Sequence, residues 1–275
     1  MKSLCLAASL FVFLWPALGV GNPAGQDSPP AGRSAEENEK PFRDPFASES
    51  QPAKAQPKIK DPVQPMNRAF FHFNDKLYFW VVKPAGKGYS KVVPRPARRC
   101  VARLFANVKY PIRLVNNLLQ GKFKAAGLET GRFAVNSTVG VGGLFDPAKR
   151  WKIEAHPADF DQTLGLYGVG SGIYFDWPLF GPSAARGTAG LAADGALSPW
   201  SYIGGVGIAL GVPAYGELNS GSLNLGEYES FKKAALDPYV AMRSAYYESR
   251  AEAVDKSKAA KQRAKTGSDP LRAGR

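Results

Sequence analysis

The sequence predicts a mostly α-helical, all-α fold on three observations. Apolar residues recur at three- and four-residue spacing through 67–82, as one face of a helix requires. A long segment, 239–265, runs without Gly or Pro behind a cap signal. Between them helical stretches follow one another with short breaks, and no alternating strand run occurs.

The first helix, 67–82, carries Phe70, Phe73, Leu77 and Trp80 with Val81 on one stripe, widened by Phe71, Tyr78 and Phe79. Asn67 is its expected N-cap. A face this wide fits a core helix, and it also fits a helix lying against lipid. Pro84, Gly86, Gly88, Pro94 and Pro96 predict a connector over 83–96. A short helix over 97–106 follows, with Arg98, Arg99 and Arg103 on its polar side. Pro111 opens the next, 112–120, and Gly121 ends it. The helix over 123–138 has Phe123, Ala126, Ala134 and Val135 on its apolar side. Gly127 and Gly131 would suit close helix packing, but Glu129 and Arg132 weaken that reading.

The segment 139–190 is glycine-rich: 139–145 reads as a small apolar loop, and 173–180 is aromatic and broken by Pro178. Residues 191–211 continue with Ala, Gly and Leu. This middle region is too apolar for a water-facing loop and too broken for a long helix. From 236 the helical pattern returns, with Asp237 as cap and Pro238 at the first position.

Organisation follows from composition. Lys2, the apolar run from Leu4 and the small residues Ala17 and Gly19 describe an export signal over 1–19. The alternative is an uncleaved anchor, although an apolar run of about 17 residues containing Pro16 is marginal for ~30 Å of hydrocarbon. Residues 20–60 form a disordered Pro-rich leader, 61–250 the folded domain and 251–275 a basic tail. The net charge of +13 calls for an anionic partner, nucleic acid or lipid. Export excludes nucleic acid and favours a membrane surface. Cys5 lies in the signal and Cys100 stands alone in the remainder, so there is no internal disulfide, and no lipobox supports a lipid anchor.

Enzyme chemistry has little to work with. His72 and His156 are the only imidazoles, and neither lies near a GxSxG elbow. His72 reads as a core or interfacial side chain, and His156 as an exposed one. Asp159 and Asp161 read as ordinary loop acids. Metal-ligand spacing and a phosphate-binding loop are both missing. The expectation is a protein that is not an enzyme, with no catalytic residue, cofactor or metal.

Five stretches, DPVQPMNRAFFHFND (61–75), VVKPAGKGYSKVVPRPAR (81–98), the 107–148 segment containing VNNLLQGKFKAAG, DFDQTLGLYGVGSGIYFDWPLFGPSAAR (159–186) and LDPYVAMRSAYYESR (236–250), together resemble the MlaA/VacJ family. The resemblance implies a ring-like arrangement of amphipathic helices in the inner leaflet of the outer membrane, at its periplasmic face. A central amphipathic pore would admit phospholipids misplaced in the outer leaflet. The implied partners are phospholipids, a trimeric outer-membrane porin and a periplasmic lipid carrier of the Mla pathway, so that lipid moves inward and asymmetry is kept.

Carried onto this sequence, the resemblance makes Phe70, Phe73, Leu77 and Trp80 part of a membrane-embedded helix. It makes Gly140, Val141, Gly142, Gly143, Leu144 and Phe145 a hairpin loop beside the pore that affects its opening. Arg68, Arg132 and Arg186 lie in matching motifs and are candidate phosphate contacts, with a structural ion pair or helix cap as the alternative for each. The chain departs from the family pattern in lacking a lipobox cysteine. It also places Gly187 where Asp commonly follows Arg186, which removes a local Arg–Asp pair. Two rival functions remain: an envelope adaptor that binds porins without a lipid path, and a phospholipase.

Overall fold

A computed structural model describes residues 61–266. The expected signal and leader lie outside the described residues, as does the end of the basic tail. The described chain is mostly helical: α1 (Gln64–Leu77), a π-turn (Tyr78–Val82), α2 (Lys83–Val92), α3 (Arg95–Val108), α4 (Tyr110–Leu119), α5 (Phe123–Thr138) and the short α6 (Pro147–Arg150) and α7 (Phe160–Leu166). A hairpin of β1 (Tyr174–Trp177) and β2 (Gly181–Ala184) follows, then α8 (Ala185–Leu197), α9 (Val206–Leu223), α10 (Glu227–Ala234) and α11 (Pro238–Thr266). The strands pair antiparallel, with Tyr174 opposite Ala184 and Trp177 opposite Gly181.

The hairpin corrects the expectation of no strands. Its four-residue strands are too short to show alternation in sequence, and Pro178 sits in the turn between them. The connector expected over 83–96 is also corrected, because α2 fills most of it. Pro84 falls in the first turn after the π-turn, where Lys83 N–H reaches back to the Tyr78 carbonyl. The widened ladder there tolerates the donor that proline lacks. Residues 191–211 contribute to α8 and α9, and α9 continues through Pro213. Gly216 explains how α9 approaches α3: a Cβ there would stand 2.6 Å from the Phe105 ring.

Asn67 is not a cap. The helix starts three residues earlier, with Pro65 in its first turn, and Asn67 is wholly buried. Its amide donates to Asp61 Oδ1 at 2.9 Å and to the Tyr174 carbonyl at 3.0 Å, and it accepts from Asp176 N–H at 3.0 Å. One helical repeat on, Asn74 donates to Asp176 Oδ1 and the Trp177 carbonyl and accepts from Leu179 N–H. These two amides fasten α1 to the hairpin. The buried stripe of α1 is therefore Asn67, Phe71, Asn74 and the adjoining Tyr78. The aromatic stripe, which fitted either the core or a lipid surface, is split: Phe73 is 48% and Trp80 74% exposed, while Phe70 and Leu77 are half-buried.

The core is rich in tyrosine. Phe71, Tyr78, Tyr174, Tyr228, Tyr239, Met242 and Tyr246 form one buried cluster. Phe71, Tyr174 and Tyr246 meet their ring neighbours edge-on, the favoured geometry for aromatic quadrupoles. Asp237 caps α11 as expected, accepting from Tyr239 and Val240 N–H. The start and end of the domain meet at Asp61, which is bound by Tyr239 Oη and, at 3.0 Å, by Arg243.

Two helix faces differ from expectation. Arg98 is buried, donating to the Ser222 carbonyl at 2.6 Å and Oγ at 3.0 Å. On α5 the buried residues are Ala125, Ala126, Glu129 and Asn136, whereas Phe123 and Ala134 are exposed. No side chain of another element stands within 4 Å of a Cβ built at Gly127 or Gly131, so these glycines pack against no helix. α11 buries Val254 and Ser257, past the boundary expected at 250.

Candidate functional site

A cavity of about 920 Å³ opens between the helices. α3 and α4 contribute Phe105, Ile112 and Arg113 to its walls; α8 contributes Leu191, Asp194 and Gly195; α9 contributes Glu217 and Ser220; α11 contributes Met242, Tyr246, Ser249 and Arg250. Trp200, from the turn before α9, completes an apolar patch with Phe105. Apolar and hydrogen-bonding groups thus line one space.

The polar wall is built from ion pairs and amides. Lys109 Nζ lies 3.2 Å from Glu217 Oε1, and Glu217 Oε2 has no hydrogen-bond partner among the described residues. Burial raises the Glu217 carboxyl above its usual range against the pull of Lys109. Arg113 Nε bonds to the buried Glu129 at 2.6 Å, and Glu129 also accepts from His156 N–H at 2.5 Å. Arg250 pairs with Asp159 at 2.8 Å. Asp194 accepts from Asn116 Nδ2 at 3.0 Å and from Phe160 N–H, and burial pushes its carboxyl up to about 6.

Behind this wall lies a polar network that the sequence reading did not assign. Gln120 Nε2 donates to Thr163 Oγ1 at 2.9 Å, Thr163 donates to Asn116 Oδ1 at 2.8 Å, and Asn117 donates to the His156 carbonyl at 3.0 Å. All four side chains are buried. Asn116 and Gln120 of the 107–148 motif therefore tie the end of α4 to α7, and Asn117 ties it to the loop at His156. Three amide residues at the end of an otherwise apolar helix were the available signal.

The three arginines singled out from the sequence are not brought together, and none lines the cavity. Arg68 pairs with Asp237 at 2.6 Å and lies 4.6 Å above the Tyr239 ring. Arg132 grips both oxygens of Asp146 at 3.0 Å and also donates to the Ile153 carbonyl. Arg186 bonds Asp161 through Nε at 2.7 Å and donates to the Val169 carbonyl at 2.9 Å. A distant Asp161 supplies the carboxylate missing at 187, where a Cβ would stand 2.4 Å from Tyr246 Oη.

The Gly140–Phe145 segment is a run of turns, not a strand hairpin. It contributes no residue to the cavity wall. It rests instead on Asn107 of α3, whose Nδ2 donates to Ser137 Oγ and the Gly142 carbonyl. Gly142 and Gly143 have positive φ, and a Cβ at Gly143 would lie 2.5 Å from the Asn107 side chain, while one at Gly142 meets open space. Val141 and Phe145 are exposed. His72 is exposed, and His156 is half-buried with Nδ1 3.1 Å from the Glu154 carbonyl. Among the described residues no helix is long and apolar enough to cross a membrane.

Comparison with known proteins adds the following. The family model described as MlaA lipoprotein matches residues 59–253. The intermembrane phospholipid transport system lipoprotein MlaA of Haemophilus influenzae is 32% identical over 196 residues, covering 68% of this chain and 76% of the relative. The protein of the same name from Escherichia coli is 31% identical over 199 residues, with 68% and 76% covered. An uncharacterized Rickettsia felis protein is 33% identical over 193 residues, with 70% and 77% covered. A solved structure reported as the structural basis for maintenance of bacterial outer membrane lipid asymmetry aligns with a TM-score of 0.64 at 28% identity, covering 71% of this chain and 99% of that one.

Proposed function

This chain belongs to the MlaA lipoprotein family, and on that premise we propose that it takes phospholipids from the outer leaflet of the outer membrane and passes them to a periplasmic carrier. The observation that carries this reading is the cavity of about 920 Å³ with walls both polar and apolar. That volume lies at the upper end of the ~300–1,000 Å³ typical of small-molecule sites, enough for a headgroup, its glycerol and the first part of the acyl chains.

The mechanism is passive. Moving an ion-sized charge from water into hydrocarbon costs on the order of 20 kcal/mol by the idealised Born estimate. Hydrogen-bonding groups such as Ser220, Ser249, Arg113 and Arg250 along the wall replace part of the lost hydration, while Phe105, Leu191 and Met242 face the acyl chains. No step makes or breaks a covalent bond. Net direction comes from the partners, because a path without an energy source only equilibrates. The exposed Phe73 and Trp80, with half-buried Phe70 and Leu77, contact lipid, and the same kind of surface serves a trimeric porin. Gly140–Phe145 acts on the path through Asn107, whose chain neighbours Ala106 and Val108 line the cavity. Arg68, with the most exposed of the three arginine ion pairs, is the one placed to exchange its carboxylate for a lipid phosphate.

The test is surface phospholipid in a strain lacking the protein, read by acylation of an outer-leaflet lipid A reporter. We expect a rise that the intact gene reverses. Gly195→Phe fills the cavity from a position where an added Cβ meets nothing within 4 Å, so it should fold and fail to reverse the rise. Full reversal by Gly195→Phe would reject the path and favour the adaptor.

A further inference from the structure

A second, open pocket of about 790 Å³ lies between α2 and α10 and shares no residue with the cavity above. Its rim carries Lys83, Lys87, Lys232 and Lys233 around Phe79 and Leu225, with Glu229 as the only acid on the wall. The ammonium groups of Lys83 and Lys232 lie 5.1 and 5.0 Å from the centroid of the one Phe79 ring.

Two of the four charges are already neutralised. Lys83 Nζ is 2.6 Å from Glu229 Oε1, and Lys232 Nζ is 2.7 Å from both oxygens of Asp75. Burial works against the charge on Glu229, but hydrogen bonds from Lys83 and Tyr78 outweigh it and hold the carboxyl below its usual range. Lys87 and Lys233 are exposed and pair with no carboxylate among the described residues. Lys87 lies one helical turn beyond Lys83, and Lys233 is adjacent to Lys232, so like charges converge on one pocket. That arrangement is unfavourable until an anion enters it.

The surroundings say which anion. Trp80 and Val81, one turn before Lys83, are exposed and apolar, and the long stems of the lysines reach from such a surface toward water. An apolar floor of Phe79 and Leu225 under two spare ammonium groups fits a phosphate carrying glycerol and hydrocarbon. It fits a phosphodiester with no ammonium of its own better than a zwitterion, because both spare charges then find a counter-charge.

We propose that this pocket binds the headgroup of an anionic phospholipid, with Lys87 and Lys233 contacting its phosphate and Phe79 and Leu225 supporting its glycerol backbone. It would fix the protein's depth and orientation at the leaflet surface, apart from any lipid passing through the cavity.

The experiment floats the full-length purified chain with phosphatidylcholine vesicles, with and without phosphatidylglycerol. Phosphatidylglycerol should strengthen binding of the intact protein. Lys87→Gln combined with Lys233→Gln breaks no ion pair, and should reduce that gain by about tenfold or more, since each Lys at an anionic surface contributes about 1 kcal/mol. Lys149→Gln combined with Arg150→Gln removes equal charge from exposed sites on α6 and should reduce it far less. Equal loss in the two pairs would reduce the effect to overall charge and overturn the site. An unchanged gain in the Lys87/Lys233 pair would also overturn it. Release of the protein by millimolar inorganic phosphate, without a matching effect of sulfate, would show a free-phosphate site and reject the lipid.

Discussion

Asp176 lies in the first strand of the hairpin, 2% exposed, with Asn74 donating to its carboxylate. Burial pushes its carboxyl up to about 7, despite that hydrogen bond. In the unfolded chain it ionises near 4. Between these values the folded state holds a proton that the unfolded state has released, so stability falls as pH rises from about 4 to about 7 and levels off above. Asp176→Asn keeps the acceptor for Asn74 and removes the charge. It should flatten this dependence and stabilise the protein at pH 8 by on the order of 3 kcal/mol, read as thermal unfolding at several pH values. The two turn glycines separate strain from collision. Gly143→Ala should cost about 2–3 kcal/mol, because its methyl meets Asn107. Gly142→Ala should cost only about 1–2 kcal/mol, the price of positive φ alone. Nothing in the sequence distinguishes the two positions, since the distinction depends on Asn107, more than thirty residues away in the chain.

Among the elements, α1 is the most instructive because its polar residues point in and part of its apolar stripe points out. Its periodicity was legible, but periodicity does not say which of two stripes is buried. Asn67 and Asn74 decided it, since each satisfies three hydrogen-bonding groups of the chain at once. Phe73→Glu with Trp80→Glu should therefore leave stability within about 0.5 kcal/mol, as for exposed positions generally, while sharply weakening flotation with phospholipid vesicles. If unfolding shifts greatly instead, that face is part of the core. α2 and α9 were illegible because Pro84, Gly86, Gly88 and Pro213 read locally as breakers. A π-turn precedes Pro84, and Gly86 packs against Leu225 and Ser222. The family resemblance implied a pore, but the residues that line the cavity were not legible. Its walls come from helices far apart in sequence, and the residues that mark it, Asp194, Gly195 and Glu217, lie in segments with no helical signature.

For the whole molecule, the closing contacts join the first described residues to the start of the last helix. Asp61 is held by Tyr239 and Arg243, and Arg68 by Asp237. The C-terminal helix is thus part of the fold as far as its buried residues reach. A stop after 258 should leave the unfolding midpoint unchanged, because it keeps Val254 and Ser257. A stop after 250 removes Val254, whose methyl lies 2.5 Å from where a Cβ of Gly165 would be, and should cost about 1.5–3 kcal/mol. The mostly helical class and the family were legible in the sequence because motifs in a fixed order survive local misreading. The way the helices enclose a space is a property of long-range contacts that no single motif contains.

The outward apolar side chains have a consequence for the newborn molecule. Trp80, Tyr202 and Val206 are each more than two-thirds exposed, and folding does nothing to hide them. For most proteins folding is the event that ends the danger of aggregation. Here it leaves that danger in place until another surface covers these side chains. The time spent in water before they are covered is therefore a hazard that grows with concentration, for the folded protein as much as for the unfolded one.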